Sequence, residues 1–144
     1  MSHVFTGFKS GLLELAFLAG DIRAKLLMSN TTADTQQDGT TLNDISTLDE
    51  YDGAGYSEAI MAGESVQKDD AANRGEFHAD PFNFGATVAA GTRQAVGMLV
   101  YKRVTGAPTS DLVLFYYDGA PFPFAGTGGP INVTPNVEGM LQAT

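Results

Sequence analysis

The chain has no cysteine, no tryptophan and only two histidines, His3 and His78, in 144 residues. Without cysteine there is no disulfide framework, no thiolate nucleophile and no thiolate metal site, and the composition fits synthesis in a reducing cytoplasm. Two histidines leave little imidazole for metal binding or general-base work. Long apolar runs are also missing. Residues 11–19 are apolar but carry Glu14 in their middle, and nine residues fall well short of the roughly 20 that a membrane-spanning helix needs. The only base ahead of that stretch is Lys9, so it does not read as a targeting signal, and no membrane span is expected. Positive charge is scarce: 8 Lys and Arg stand against 17 Asp and Glu, a formal charge of −9. Twelve of those acids lie between Asp34 and Asp80, where the only bases are Lys68 and Arg74. Such a field repels phosphate backbones, so no nucleic-acid partner is expected, and a solvated, solubilising face is the simpler reading.

What remains is a β-rich composition. Seventeen of the 144 residues are glycine, above the usual level of about 7%, and the 43% hydrophobic fraction is ordinary for a folded protein. The length suits one domain, able to bury roughly two-thirds of its unfolded surface. Residues 1–10 read as a polar arm anchored by Phe5 and Phe8. Residues 12–18 are too densely apolar to assign to helix or strand by periodicity. Residues 21–28 alternate, with Ile22, Ala24, Leu26 and Met28 on one face and Arg23 and Lys25 on the other, which predicts a half-buried strand. Residues 30–44 are Thr/Asp/Gln/Gly-rich and predict a long exposed loop. A turn at 48–55 leads to a strand over about 56–61, and residues 65–73 are polar again. Asp80-Pro81 breaks the segment 74–84, which holds Phe77, Phe82 and Phe84. Residues 93–104 predict a core-crossing strand, with 111–119 as its hairpin partner. Residues 120–130 are Gly/Pro/Phe-rich and irregular, and 131–134 and 137–141 predict short closing strands. The expected fold is mainly β: a single-domain sandwich, jelly roll or barrel-like fold over residues 19–144, preceded by an extended N-terminal arm or short helix over 1–18.

Chemistry is hard to find in this pattern. There is no Gly-x-Ser-x-Gly elbow. His78, flanked by Glu76 and Asp80, has the neighbours of an oriented base, but nothing supplies a nucleophile and oxyanion donors around it. Counting a calcium loop from Asp49 puts Tyr51 third and Ala54 sixth, so the pattern fails and residues 49–53 read as a turn. The glycines at 126, 128 and 129 have no lysine beside them and lead to a strand, unlike a phosphate cradle. The two Asn-x-Thr sequences at Asn30 and Asn132 read as chance. No catalytic residue, metal site or cofactor is expected. The aromatics Phe82, Phe84, Phe115, Tyr116, Tyr117, Phe122 and Phe124 divide between core and interface, with those in the Pro/Gly segment as contact candidates.

The order of these pieces carries a resemblance. Residues 8–15 (Phe-Lys-Ser-Gly-Leu-Leu-Glu-Leu) lead to the strand 22–29 and then a Gly-Ala-Gly-Tyr turn at 53–56. A hairpin ending in Leu-Phe-Tyr-Tyr-Asp at 114–118, a Gly-rich segment and Asn-Val-Thr-Pro-Asn at 132–136 follow. This layout resembles the small virion structural proteins of tailed bacteriophages, especially capsid decoration (cement) proteins. The resemblance implies a β-rich homo-oligomer, with a trimer favoured, made in the host cytoplasm. It implies a place on the outer capsid surface, where the chain binds the major capsid protein and stabilises contacts between neighbouring subunits. Candidate contact residues on this reading are Phe5, Phe8, Leu12, Leu13, Phe17, Phe122 and Phe124. The alternative is a tail, connector or baseplate component contacting a host glycan; a small glycan-acting enzyme would need a pair of facing carboxylates.

Overall fold

The alternation at residues 21–28 builds the strand around which the domain is organised. The structure is a computed structural model describing residues 5–17 and 20–143, without the side chains of Thr6, Phe8 and Leu15. β1 (Asp21–Met28) pairs with β2 (Ala59–Ile60) on one side and β6 (Ala95–Arg103) on the other; β7 (Leu112–Tyr117) completes an antiparallel sheet of order β2-β1-β6-β7. β3 (Ser65–Asp69), β4 (Arg74–His78) and β9 (Leu141–Ala143) form a second sheet of order β3-β4-β9. β5 (Phe82–Asn83) and β8 (Asn132–Val133) pair separately. The chain is thus mainly β, with several antiparallel sheets around a shared core, consistent with a sandwich-like single domain.

Each face of β1 meets a different partner, as the period of two requires. Ile22, Ala24, Leu26 and Met28 join Met98 and Val100 of β6 in the main core, together with Phe77, Phe82, Phe84 and Val88. On the opposite face, Leu27, Leu99 and Tyr101 are covered by Ala33, Leu42 and Ile45, which form a smaller core. Residues 30–44 form the loop that composition suggests, exposed over much of its length, but it is anchored on the sheet. Three apolar residues in and just beyond that polar stretch fold it over the sheet. Internal hydrogen bonds hold it there: Thr32 N donates to Thr47 O at 2.9 Å, and Ser46 N donates to Gln36 Oε1 at 2.7 Å. The polar segment 65–73 is β3 and its turn to β4. Its polar side chains sit on an edge strand, where alternation is hidden because little of that strand is buried. Of the strand expected over 56–61, only Ala59–Ile60 forms.

The N-terminal segment, expected as an extended arm or a short helix, is over its described part a helix, α1 (Thr6–Phe17). Lys9, Leu13 and Phe17 follow one another at four-residue spacing and so share one face, and all three are buried. Phe17 stacks on Phe77 of β4 with ring centroids 3.9 Å apart and meets Phe115 of β7 at 6.2 Å, so the end of the helix joins the two sheets. Lys9 Nζ donates to the Asn73 carbonyl at 2.6 Å, in the β3–β4 turn. Lys102 Nζ donates to the Ala16 carbonyl at 3.3 Å, a cation where the helix dipole favours one. A 12-residue helix with two glycines is marginal alone, so its stability comes from this docking. The hairpin β6–β7 is closed by Asp111, a buried carboxylate that accepts from the backbone N–H groups of Val104, Thr105 and Gly106 at 2.9, 3.2 and 3.0 Å. Burial opposes its ionisation, yet these donors hold its pKa below the usual carboxylate range.

Two glycine substitutions test the docking of α1 from opposite directions. A Cβ on Gly75 would lie 2.7 Å from Ser10 N and 2.9 Å from Ser10 Cα, backbone atoms with no rotamer to yield. Gly75→Ala is expected to lower the free energy of unfolding by about 1–3 kcal/mol through overpacking. Gly11 has open space around its Cβ position, so Gly11→Ala is expected to raise stability by up to about 1 kcal/mol through helix propensity. Urea unfolding of both variants checks the pair.

Candidate functional site

The irregular segment after β7 has a fixed shape, set by backbone contacts to its neighbours. Ala95 and Phe124 exchange two hydrogen bonds, at 2.8 and 3.0 Å, tying the segment to the start of β6. Val88 N donates to Gly129 O at 2.9 Å and Gly128 N to Val88 O at 2.8 Å; Phe84 N donates to Ile131 O at 2.9 Å. Beneath these bridges lies the buried Tyr51. Its hydroxyl donates to Ala89 O at 3.1 Å and accepts from Gly91 N and Gly126 N, each at 2.8 Å. One phenol oxygen thus joins three chain segments. Gly126 is required there, because a Cβ would collide with the Val88 and Ala89 carbonyls.

The result is a groove of about 620 Å³ between this segment and the sheets. Leu26, Met98 and Phe115 contribute from the four-stranded sheet, Phe122 and Phe124 from the irregular segment, and Met140 from the chain before β9. Phe122 stacks on Phe124 with centroids 5.2 Å apart and meets Tyr117 edge-on at 6.3 Å. Tyr117 is itself held by its hydroxyl, which donates to Ala120 O at 2.9 Å. None of the residues lining the groove is charged, in a chain with 25 charged side chains. An uncharged recess with four aromatic rings and the amides of Asn132 and Asn136 suits apolar side chains or a neutral polar ligand.

The candidate contact residues separate in space. Phe122 and Phe124 lie together, half-buried, in the groove wall. Phe5 and Leu12 are exposed, at 84% and 51%. Leu13 and Phe17 belong to the main core, because the segment that carries them is a docked helix, so they present no surface to a partner in this conformation. The Phe8 side chain lies outside the described residues. Sequence reasoning missed Met98 and Met140 as groove residues; a long-range fold brings them together with Phe115, and no local pattern marks them.

A second polar cluster lies on the outer face of β1. Arg23 pairs with Asp21 at 2.7 Å and with Glu58; Lys25 pairs with Glu50 at 2.8 Å and Glu58 at 3.0 Å. Tyr101 donates to Glu58 at 2.6 Å and Tyr56 to Glu50 at 3.0 Å. Burial works against the charge on Glu58, but hydrogen bonds from Tyr101, Lys25 and Arg23 prevail and hold its pKa at about 2. Burial first, then the carboxylate partner, pushes both tyrosine hydroxyls upward. Glu58 is therefore held ionised by fixed cations near neutral pH, unlike the raised acid of a glycosidase pair. His78 Nε2 lies 3.3 Å from Glu76 Oε2, and Glu76 also binds Arg74 at 2.6 Å, an ion-pair arrangement on the second sheet. In the acidic turn, Asp49 accepts from Asn30 N at 2.8 Å and pairs with Arg93, while Asp52 accepts from Thr92 N at 2.8 Å. Among the described residues no group of three or more histidines and carboxylates is placed to hold a metal ion. No helix among them is long and apolar enough to cross a membrane. No family model, no curated protein and no solved structure matches this chain.

The folded pKa of Glu58 lies below its unfolded value of about 4.3, so its stabilisation is complete above that pH and fades as the pH falls towards about 2. Glu58→Gln is expected to cost about 2 kcal/mol at neutral pH, the scale of hydrogen bonds to charged groups. The difference from the parent chain should shrink across that acidic window. Urea unfolding as a function of pH checks both the size and the sign.

Proposed function

We propose that this chain is a virion structural protein of a tailed bacteriophage, a decoration protein that binds the outside of the head and holds neighbouring capsid subunits together. One observation carries the reading beyond the resemblance in layout. The rigid β framework concentrates aromatic side chains in an uncharged groove at residues 115–140, while the charged clusters on both sheets are engaged within the chain. A surface of that kind suits contact with another protein, where aromatic anchors in a desolvated setting supply most of the binding energy. The major capsid protein is the partner, and a homo-oligomer, with a trimer favoured, is the acting form. The exposed Phe5, just before the docked helix, and Leu12, on it, offer a second contact. The tail or baseplate alternative draws on the same groove: its rings and the Asn132 and Asn136 amides also suit a neutral host glycan.

Adding purified protein to undecorated heads and measuring heat-induced DNA release separates these readings. Decoration is expected to raise the release temperature, and Phe122→Ala with Phe124→Ala is expected to weaken head binding about tenfold or more, as loss of an aromatic anchor pair does. Heads no tougher than before, with the protein bound to tails or to a sugar array, would overturn the capsid reading in favour of the alternative.

A further inference from the structure

β7 is the outer strand of the four-stranded sheet. Its first part is covered by the folded loop: Val113 N donates to Thr40 O and Leu42 N to Asp111 O, each at 3.0 Å. From Leu114 to Tyr117, no backbone hydrogen bond among the described residues reaches the side of the strand away from β6. Open edges of this kind are templates for another strand.

The two faces of this edge differ in chemistry. Phe115 and Tyr117 stand opposite Val100 and Met98 and line the uncharged aromatic groove. Tyr116 stands opposite Leu99 on the other face, beside a recess of about 380 Å³ that Asp34, Gln36, Gln37 and Asp118 also line. Neither Asp34 nor Asp118 has an ion-pair partner among the described residues, in contrast to Asp21, Asp49, Glu50, Glu58 and Glu76. Burial, then Asp118 and Asp34, push the Tyr116 hydroxyl upward, which places uncompensated negative charge at this face. An added strand presents alternate side chains to the two faces.

We propose that the free edge of β7 accepts an extended segment of a partner chain in which apolar and basic side chains alternate. The apolar side chains enter the aromatic groove and the basic ones face Asp34 and Asp118. Main-chain pairing along residues 114–117 supplies affinity, and the contrast between the faces fixes register, since a one-residue slip puts the cations into the uncharged groove. The proposal deepens the capsid-binding reading and rests on it for the partner's origin, which would be a strand of the major capsid protein.

The test uses the full chain and three capped octapeptides: alternating valine and lysine, alternating valine and glutamate, and a four-valine, four-lysine block. The alternating valine–lysine peptide is expected to bind at least about tenfold more tightly than the other two, as charge complementarity requires. It should slow hydrogen exchange at the amides of 114–117. Asp34→Lys with Asp118→Lys should reverse the preference towards the glutamate peptide. Equal binding of all three, no binding, or protection outside 114–117 would overturn the proposal. So would protection of 114–117 that rises with protein concentration alone, which would give the edge to a second copy of the chain. Peptide binding without head stabilisation would leave the strand site standing and remove the capsid partner; head stabilisation without peptide binding would do the reverse.

Discussion

The Tyr51 hydroxyl is the point on which the shape of the aromatic groove depends. Buried in the core, it satisfies Ala89 O, Gly91 N and Gly126 N at once, and so ties its own turn to the segments at 89–91 and 126, which share no continuous strand pairing. A backbone N–H sealed from water costs about 1–3 kcal/mol if left without a partner. The loops around the groove are therefore held by a requirement to satisfy polar groups, as well as by apolar packing. Gly126 lets the chain approach the Val88 and Ala89 carbonyls closely enough for that bond to form. Residues 124–131 gain a defined shape from this, although β8 contributes only two residues of regular strand next to them.

Charge is organised on the opposite principle. Acids concentrate in the middle of the chain, yet folding draws many of them against the few cations. Arg23 and Lys25 take Asp21, Glu50 and Glu58; Arg74 takes Asp69, Glu76 and Glu138; Arg93 takes Asp49. The clusters are partly shielded from water, so they act on the register of β1 against β2 and of β4 against its neighbours more than on solubility. The groove is left without charge, and the acids at the β7 edge without cations, which gives the surface its contrast.

Much of the four-stranded sheet was legible in the sequence because its strands are long and two-sided. β1 matches its predicted bounds at both ends, and β6 and β7 form the hairpin their apolar runs suggest. The Asp80-Pro81 break also falls where proline requires it, between β4 and β5. The rest shares a cause: each element is defined by a distant partner. The N-terminal segment reads equally as arm or short helix because Gly7, Lys9 and Ser10 precede its apolar stretch, and the seat that Gly75 offers the helix backbone lies far away in the chain. The anchoring of the loop over the outer face has no local signal, because Ala33 and Ile45 stand among polar residues and only the apolar patch of Leu27, Leu99 and Tyr101 explains their burial. Phe122 and Phe124 were singled out as contacts from local composition, and the structure puts them side by side. Their companions Met98 and Met140 carry no local mark of that role.

The central claim is that the groove exists before any partner arrives, locked from beneath by one buried phenol. Native-state hydrogen exchange at the amides of Gly91 and Gly126 tests it most directly. The account predicts that both exchange only through global unfolding, with opening free energies equal to the stability of the domain and moving with it as urea is added. Exchange of either amide through a low-energy local opening, insensitive to urea, would mean that the groove is loosely held and takes its shape only when something binds.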